Sequence, residues 1–311
     1  MDFPFKLATG KPFDAVGFGL NAVDHLIVVP EYPVFDTKIR LIEHKQSAGG
    51  QTATAMVSLR RLGLKTAYAG RFGSDPEGHF GLATLKDDDV NVDFAEMVDG
   101  ARNQIAFITI DVRNGERTIV WDRDDRLAYR PEEAPVEFGS MGRVLHLDAH
   151  DPPACLRLAR AARATGTIVS ADIDNVYEGL PELLPFIDVM IGSKEFPRRV
   201  TGIEDERSAL IELRARYGCA ITGMTIGTAG ALAYCDGQFI ESPGFAAPGG
   251  CKDTTGAGDA FHGGLLYGML SGDDIETSLR LGNAVAAIKC SALGARSALP
   301  TREQLQKFLN L

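Results

Sequence analysis

The stretch from Asp253 to Phe261, DTTGAGDAF, combines a carboxylate with a glycine-rich helix start. Gly256, Ala257 and Gly258 precede a helical pattern, so free N–H groups and the positive end of the helix dipole would form an anion site. Small side chains let a phosphate approach the backbone. Asp259, in the first turn, could accept the proton of an attacking hydroxyl. The stretch therefore predicts phosphoryl transfer to an alcohol.

A purely structural interpretation of the same residues stays open. Aspartate is favoured at helix starts, so Asp253 or Asp259 could simply cap a glycine turn. The stretch does not follow the G-x-x-x-x-G-K-[ST] pattern, so it is not the phosphate-binding loop of P-loop nucleotide-binding proteins. No G-x-G-x-x-G fingerprint follows the first predicted strand, which disfavours a nicotinamide-dependent oxidoreductase.

Three histidines could also take part in the chemistry: His146 and His150 as metal ligands, and His262 as a neighbour of Asp259. Period-two spacing could aim His146, Asp148 and His150 to one face as metal ligands, but polar residues at a sheet end beside a ligand pocket are the simpler explanation. His262 lies three residues after Asp259 on the same helix face, where it would either tune that carboxylate or pack.

Regularly alternating strands and helices must position these residues. This alternation predicts an α/β fold with a mostly parallel sheet covered by helices on both faces. Strands are predicted at 14–20, 66–69, 144–147, 167–171, 189–191 and 221–226. Helices are predicted at 51–62, 76–86, 153–164, 204–217, 256–270 and 275–293.

Other segments predict a small β appendage. Residues 37–46 alternate apolar and polar side chains, as in a strand with one wet face. Residues 104–111 and 116–121 flank Asn114-Gly115, which is a hairpin signal. We therefore expect one α/β domain over 1–311 with a small β-sheet lid from segments near 26–46 and 102–122.

Composition excludes several classes of protein. The chain has 311 residues, 45% of them hydrophobic, enough for one large core. The net charge of −10 argues against a general nucleic-acid-binding surface. There is no apolar run of membrane-spanning length and no targeting pattern at the N-terminus. The five cysteines are scattered, which predicts reduced thiols, a cytoplasmic location and no zinc site.

From Asp253 through Leu265 the sequence resembles the C-terminal signature of the ribokinase-like (PfkB) family of carbohydrate kinases. That family's other landmarks appear in order along nearly the whole chain: Gly19–Asp24, the Gly-Gly turn at 48–51, the glycines at 63, 70, 73 and 78, and the loop at 225–230. The resemblance implies an ATP-dependent sugar kinase that uses Mg²⁺ and possesses the β lid.

The resemblance also implies site residues. The resemblance implies that Asp259 acts as the general base. The backbone amides of Gly256, Ala257 and Gly258 would form the anion hole that binds the phosphoryl group. The implied substrate-binding residues are Asp24, Gly49, Gly50, Gln51 and Asp36, the last in the lid approach, where it would reach the sugar site of a second subunit. The implied ATP-binding residues are Ser193, Thr225, Gly227, Gly230, Gly256, Gly258 and Asn283. A monovalent cation such as K⁺ would bind at Asp253, Thr255 and the 291–298 turn.

Some positions depart from the family pattern. Gln51 and Thr54 stand where the family usually has Asn or Lys and then Asn, and Ser193 and Phe196 replace its Asn-x-x-Glu pair. The region around Ser193 and the segment from 115 to 123 are similar to the ketohexokinase branch, and the C-terminal stretch is similar to kinases of ketoses and sulfofructose. A ketose or other furanose-type sugar is therefore favoured as substrate.

Several alternatives and partners remain expectations. A nucleoside kinase of the same fold and a non-catalytic sugar-binding protein are the alternative functions, and the intact motif at 256–259 argues against the latter. Arg117 and Arg123 could attract an anionic substrate or simply be solvated. Asn103 and Gln104 could face the sugar or lie on a solvated edge. The lid strands should form a homodimer contact, with Ile39, Leu41, Phe107 and Ile119 there or over the cleft.

Overall fold

The computed structural model describes residues 1–310, and its largest feature is an eight-stranded sheet. With strands numbered in chain order, this sheet contains β1 (Phe13–Phe18), β4 (Thr66–Ala69), β9 (Gly142–Leu147), β10 (Ile168–Ile173), β11 (Val189–Ser193), β12 (Ile221–Thr225), β13 (Gly230–Cys235) and β14 (Gln238–Pro243). Their order is β14-β13-β12-β11-β10-β9-β1-β4. All neighbours from β4 to β12 are parallel, whereas β13 and β14 are antiparallel.

Helices and apolar side chains cover both faces of this sheet. The helices are α1 (Gln51–Arg61), α2 (Pro76–Asp87), α3 (Pro152–Ala164), α4 (Leu180–Leu183), α5 (Phe196–Thr201), α6 (Glu206–Tyr217), α7 (Ala257–Ser271), α8 (Ile275–Lys289) and α9 (Arg302–Leu309). Successive strand residues point to opposite faces. Accordingly, Val144 packs in the core that contains α7 and α8, and Leu145 packs in the core that contains α3. The predicted α/β architecture is confirmed.

A second sheet has the order β3-β2-β7-β8 and contains β2 (Ala22–Val29), β3 (Glu43–Gly49), β7 (Ile105–Asp111) and β8 (Arg117–Asp122). We call these four strands the small sheet. Its inner face buries Leu26, Ile108 and Ile110 against Leu293. The hairpin between β7 and β8 turns at Asn114-Gly115, as its sequence predicted. A further parallel pair joins β5 (Arg71–Gly73) to β6 (Glu96–Val98).

The structure differs from the sequence predictions in two strands of the small sheet. Residues 37–42 are not a strand, although their alternation predicted one, and Leu41 and Ile42 are exposed. The strand begins at Glu43 because residues 43–49 pair with β2, and backbone pairing prevails over a polar side-chain pattern. Strand β2 begins at Ala22, earlier than the lid boundary predicted near residue 26, so Asp24 lies inside the small sheet.

The antiparallel edge formed by β13 and β14 was not predicted. These two strands follow directly after the predicted loop at 225–230. Asp236-Gly237 between them is a hairpin signal, and both residues have positive φ, as such a turn requires. The helix that starts at 275 ends at Lys289, earlier than the predicted 293.

Among the helices of residues 1–310, none combines the length and the hydrophobicity that a membrane span requires.

Candidate active site

Polar residues gather at the carboxyl ends of the parallel strands, where open α/β sheets bind ligands. Asp148 follows β9, and Asp172 lies near the end of β10. Ser193 and Thr225 end β11 and β12 and are direct partners in the ladder. Two of the residues predicted to contact ATP are therefore neighbours at this edge.

Helix α7 begins at the same edge, and its first turn is open. Gly256 caps the helix with φ 76°, and a Cβ atom there would lie 2.7 Å from the Ala295 Cβ. A Cβ on Gly258 would meet no atom within 4 Å. The amides of Gly258 and Asp259 donate to no acceptor within residues 1–310, while the Ala257 amide donates to the Thr254 carbonyl at 3.2 Å. Free amides facing open space form an anion site.

Asp259 is half-buried in this first turn, beside the free amides. Burial raises the pKa of its carboxyl, and the nearby Asp172 carboxylate raises it further, whereas His262 and Arg117 act in the opposite direction. The His262 Nε2 atom lies 3.4 Å from Oδ1 of Asp172. The Asp259 carboxyl thus holds a proton more readily than an ordinary aspartate does, and general-base catalysis is most efficient when the pKa of the base lies near the working pH.

The second group of predicted residues forms a compact unit around Asp24. Its side chain is 5% exposed and accepts no hydrogen bond from residues 1–310. Burial raises its pKa to about 7. A Cβ on Gly49 would lie 2.3 Å from the Asp24 Oδ2 atom, and one on Gly50, whose φ is 91°, would lie 2.4 Å from the Asn21 Cα. Gln51 follows as the first residue of α1.

Two further acceptors near this unit lack partners. The Asn21 Oδ1 and Gln104 Oε1 atoms are buried with no hydrogen bond from residues 1–310. Both side chains line a narrow cavity of about 10 Å³ between the end of β1 and the start of β7. Buried polar atoms are normally satisfied, so a water or a ligand hydroxyl is expected to donate to these two oxygens. Asn21 was missed from the sequence, although it lies within the Gly19–Asp24 landmark.

Arg296 is a buried cation that sequence reasoning missed entirely. Its guanidinium donates to the Gly49 carbonyl, to the Thr54 hydroxyl at 3.3 Å and to the Thr84 hydroxyl at 3.2 Å. Burial lowers its pKa to about 10. Thr54 therefore supports Arg296, and Arg296 fixes the backbone of the glycine pair that faces Asp24.

The small sheet contacts the loop that precedes α7. Arg117 on β8 donates from Nη1 to the Thr254 hydroxyl at 2.6 Å. The Thr254 hydroxyl in turn donates to the Gly115 carbonyl at 3.3 Å. A charged residue of the small sheet thus lies at the edge of the anion site, and Arg117 acts to lower the pKa of both Asp24 and Asp259.

The predicted cation site at Asp253 and Thr255 is occupied by the chain itself. The Asp253 carboxylate accepts from the amides of Thr255 at 2.8 Å and Gly294 at 2.7 Å. The Lys289 Nζ donates to the Asp253 carbonyl at 2.8 Å, and the Lys45 Nζ donates to the Leu293 carbonyl at 3.0 Å. The residues present do not fit K⁺, because lysine ammonium groups hold the oxygens that would bind it.

Other predicted residues have simpler surroundings. The Asn283 amide donates to the Ser242 carbonyl and hydroxyl, both at 2.9 Å, so it ties α8 to β14. Gly227 lies in the turn after β12, and Gly230 begins β13. Asp36 is exposed with φ 61° and contributes nothing to the cleft of its own chain.

The remaining alternatives from the sequence also find partners inside the chain. His146 lies 3.3 Å from the Ser170 hydroxyl, and His150 lies 3.0 Å from the Tyr177 hydroxyl. Residues 1–310 contain no group of three His, Cys, Asp or Glu side chains arranged to hold a metal. Arg123 forms an ion pair with Asp151 at 3.1 Å.

Asn103 is structural rather than exposed. Its Oδ1 atom accepts from the Gly73 amide at 3.2 Å, and its amide donates to the Gln104 carbonyl at 3.0 Å. The expectation of a solvated edge is therefore wrong for this buried residue.

Comparison with known proteins gives concordant results. A family model described as pfkB family carbohydrate kinase matches residues 15–302. A fructokinase from Klebsiella pneumoniae is 30% identical over 288 residues, covering 85% of this chain and 92% of the relative. A nucleoside kinase from Methanothermobacter thermautotrophicus is 26% identical, covering 95% of each chain. The crystal structure of a candidate ribokinase from Agrobacterium tumefaciens superimposes with a TM-score of 0.87 at 28% identity, covering 95% of this chain and 97% of that one.

Proposed function

The chain belongs to the pfkB family of carbohydrate kinases, and on that premise we propose that it transfers the γ-phosphoryl group of ATP to a hydroxyl of a ketose or other furanose-type sugar. One observation carries the proposal: the Asp259 carboxyl stands beside free amides at the start of α7. The amides would hold the charge on the phosphoryl oxygens, and Asp259 would accept the proton of the sugar hydroxyl.

A polyhydroxylated acceptor is supported by the group around Asp24. The Asp24 carboxylate and the Asn21 and Gln104 carbonyl oxygens are acceptors without protein donors. Sugar hydroxyls would supply those donors, and hydrogen bonds to a charged acceptor are the stronger kind. The backbone of Gly49 and Gly50 would form one wall of this sugar site.

ATP would extend from the amides of α7 along the ends of β11 and β12. That path would be bordered by four residues, Ser193, Thr225, Gly227 and Gly230. Asn283 would stabilise the adjoining part of β14 through its hydrogen bond to the Ser242 carbonyl. Mg²⁺ would arrive with the nucleotide and neutralise phosphate charge, held mainly by phosphate oxygens and waters, since no dedicated cage of ligands exists in residues 1–310.

We propose further that the small sheet acts as the lid of this site and as the contact of a homodimer. The pairing of β7 with β8 places Phe107 and Val120 on the outer face, where they are 46% and 66% exposed. His25 stacks on Phe107 with ring centroids 5.1 Å apart. An exposed apolar face of this kind favours association, and Asp36 would then approach the partner's site.

The experiment that tests the function is ADP formation from ATP on a panel of ketoses, aldoses and nucleosides, with buffer alone as the blank. Turnover on a ketose or furanose sugar supports the proposal. Turnover confined to nucleosides would support the alternative, a nucleoside kinase of the same fold. No ADP with any acceptor, from a folded protein that binds ATP, would leave the non-catalytic alternative.

A further inference from the structure

Two lysine side chains approach the loops that flank the start of α7. The family resemblance implies a monovalent cation at Asp253, Thr255 and the 291–298 turn. We propose that Lys289 and Lys45 supply the positive charge of that cation from within the chain, so that this enzyme works without K⁺. The inference rests on the proposed function, because it concerns the loop that forms the anion site.

Lys289 provides the first charge. Its side chain is 0% exposed, and Nζ lies 2.8 Å from the Asp253 carbonyl and 3.8 Å from the Asp253 Oδ2 atom. A buried ammonium group requires a partner of opposite charge, and Asp253, also fully buried, provides it. Burial lowers the pKa of Lys289, while the Asp253 carboxylate opposes that shift.

Lys45 provides the second charge from a different element. It lies on β3 of the small sheet, and Nζ donates to the Leu293 carbonyl and to the Ser297 hydroxyl, both at 3.0 Å. These two acceptors belong to the 291–298 turn, which was predicted to supply the other cation ligands. Each half of the predicted ligand set is thus met by an ammonium group.

The balance of charge argues against an additional ion. One carboxylate, Asp253, faces one ammonium group, Lys289, and both are removed from water. A K⁺ ion at the same oxygens would be repelled by Lys289 across a short distance of low dielectric. The Thr255 hydroxyl is the buried oxygen left without a partner here, and a single uncharged water would satisfy it.

The consequence for the reaction lies in the loop geometry. Lys289 holds Asp253, and the Asp253 carboxylate accepts from the amides of Thr255 and Gly294. Those bonds fix the residues immediately before Gly256, and thus the direction of the free amides of α7. Lys289 is therefore a positioning residue. Because its ammonium group is part of the chain, it fixes this loop at any salt composition.

The first test uses the unmodified enzyme and compares buffers of equal ionic strength that contain K⁺, Na⁺ or tetramethylammonium. We expect kcat to agree within twofold in all three. The melting temperature without substrate should also be the same in all three buffers, and this readout does not depend on the sugar being known. Stimulation of kcat by K⁺ of fivefold or more, or a selective rise of the melting temperature in K⁺, would overturn the proposal.

The second test uses Lys289→Ala, with Lys45→Met as its companion and Lys86→Met, an exposed lysine, as the matched control. Lys289→Ala should lose at least tenfold in kcat in tetramethylammonium and recover part of it in K⁺ or NH₄⁺. The Lys45→Met enzyme should lose less, and the control should match wild type. A folded Lys289→Ala enzyme that keeps full activity, or that no cation restores, contradicts the role of the ammonium group.

The two tests separate the possible failures. If Lys289→Ala does not fold, the buffer comparison on the unmodified enzyme still decides the question. If no acceptor is phosphorylated, the proposed function fails, whereas the melting temperatures still report whether K⁺ binds.

Discussion

His262 and Asp172 form a buried pair behind the half-buried Asp259, with the His262 Nε2 atom 3.4 Å from Oδ1 of Asp172. The two side chains push the pKa of Asp259 in opposite directions, because the Asp172 carboxylate raises it and His262 lowers it. Neither touches the free amides of α7, so their influence on the reaction would pass through the carboxyl of Asp259. The pKa of the proposed base therefore depends on two buried residues, Asp172 and His262.

The central prediction concerns Asp259→Asn. The substitution should lower kcat by at least ~10²-fold, because an amide cannot accept the hydroxyl proton. Folding and ATP affinity should change little, since Asn suits a helix start about as well as Asp. Single-turnover kinetics on the active sugar provide the measurement.

A matched control is Asp205→Asn, which alters an aspartate that caps α6 through Ser208. It should leave kcat unchanged. If Asp259→Asn retains more than about a tenth of wild-type kcat while chemistry limits the rate, Asp259 is not the general base.

The second prediction concerns the acid limb of the pH–rate profile. The base must be deprotonated, so kcat falls as pH drops through the pKa of Asp259, which lies above the ordinary aspartate value of about 3.9. Asp172→Asn removes a like charge and should move the limb to lower pH. His262→Gln removes the opposing influence and should move it to higher pH. Limbs that move in the same direction, or that stay in place, would disprove the coupling.

The third prediction separates binding from stability at Asp24. Asp24→Asn should raise the KM for the sugar by tenfold or more, since hydrogen bonds to a charged acceptor contribute about 1.5–3 kcal/mol each. The KM for ATP should stay nearly constant. An unchanged KM for the sugar with a raised KM for ATP would contradict the assignment.

The same variant should be more heat-stable than wild type at high pH. The folded-state pKa of Asp24, about 7, lies above the unfolded value, so its contribution to stability is lost as pH rises through that pKa. At about pH 8, Asp24→Asn should raise the melting temperature by roughly 2–4 °C or more, with little difference near pH 4.

Asp148→Asn is the contrasting case. Against the effect of burial, His150 holds the pKa of Asp148 down to about 2, and the hydrogen bonds that Asp148 accepts from the Leu20 amide and the Thr52 hydroxyl lower it further. This variant should therefore be less stable than wild type at neutral pH.

The fourth prediction concerns Arg117, which bridges the small sheet and Thr254. Arg117→Ala should lower kcat about tenfold, because it removes a cation beside the developing phosphate charge. The acid limb should move to higher pH, since Arg117 acts to lower the pKa of Asp259. Stability should change little because the side chain is exposed.

Arg102→Ala is the control for this prediction, because Arg102 pairs with Asp122 at the exposed end of the small sheet. It should leave both kcat and the acid limb as they are in wild type. Equal effects of the two substitutions would show that Arg117 has no specific place in the site.

Local sequence signals identified the parts of the fold that local chemistry determines. The start of α2, at the predicted residue 76, shows this: Asp75 caps the helix by accepting from the Gly78 amide at 2.9 Å, and Pro76 is the first helical residue, a combination typical of helix starts. The hairpin at Asn114-Gly115 is a similar case. Strand β3 was misplaced because its residues are polar, and only its pairing with β2 makes it a strand.

The candidate site was predicted where one motif contains all its parts, as at 253–259. It was not predicted where contacts join distant segments. Arg296 reaches Thr54 across 242 residues of sequence, and Lys289 reaches Asp253 across 36. No pattern near either residue signals these bonds. The unpartnered Gln104 Oε1 atom is a similar case, because only the folded chain brings Gln104 next to the end of β1 and buries that atom.

The close approach of Asp24 to Gly49 sets limits for anyone who wishes to redirect this enzyme to another acceptor. A side chain at position 49 would collide with the carboxylate, and one at position 50 would collide with the Asn21 backbone. A mutant library that varies these two glycines would consist mostly of misfolded or inactive clones. Diversity is better placed at Gln51, which follows the glycine pair at the start of α1, and at Gln104, because both side chains are only half-buried.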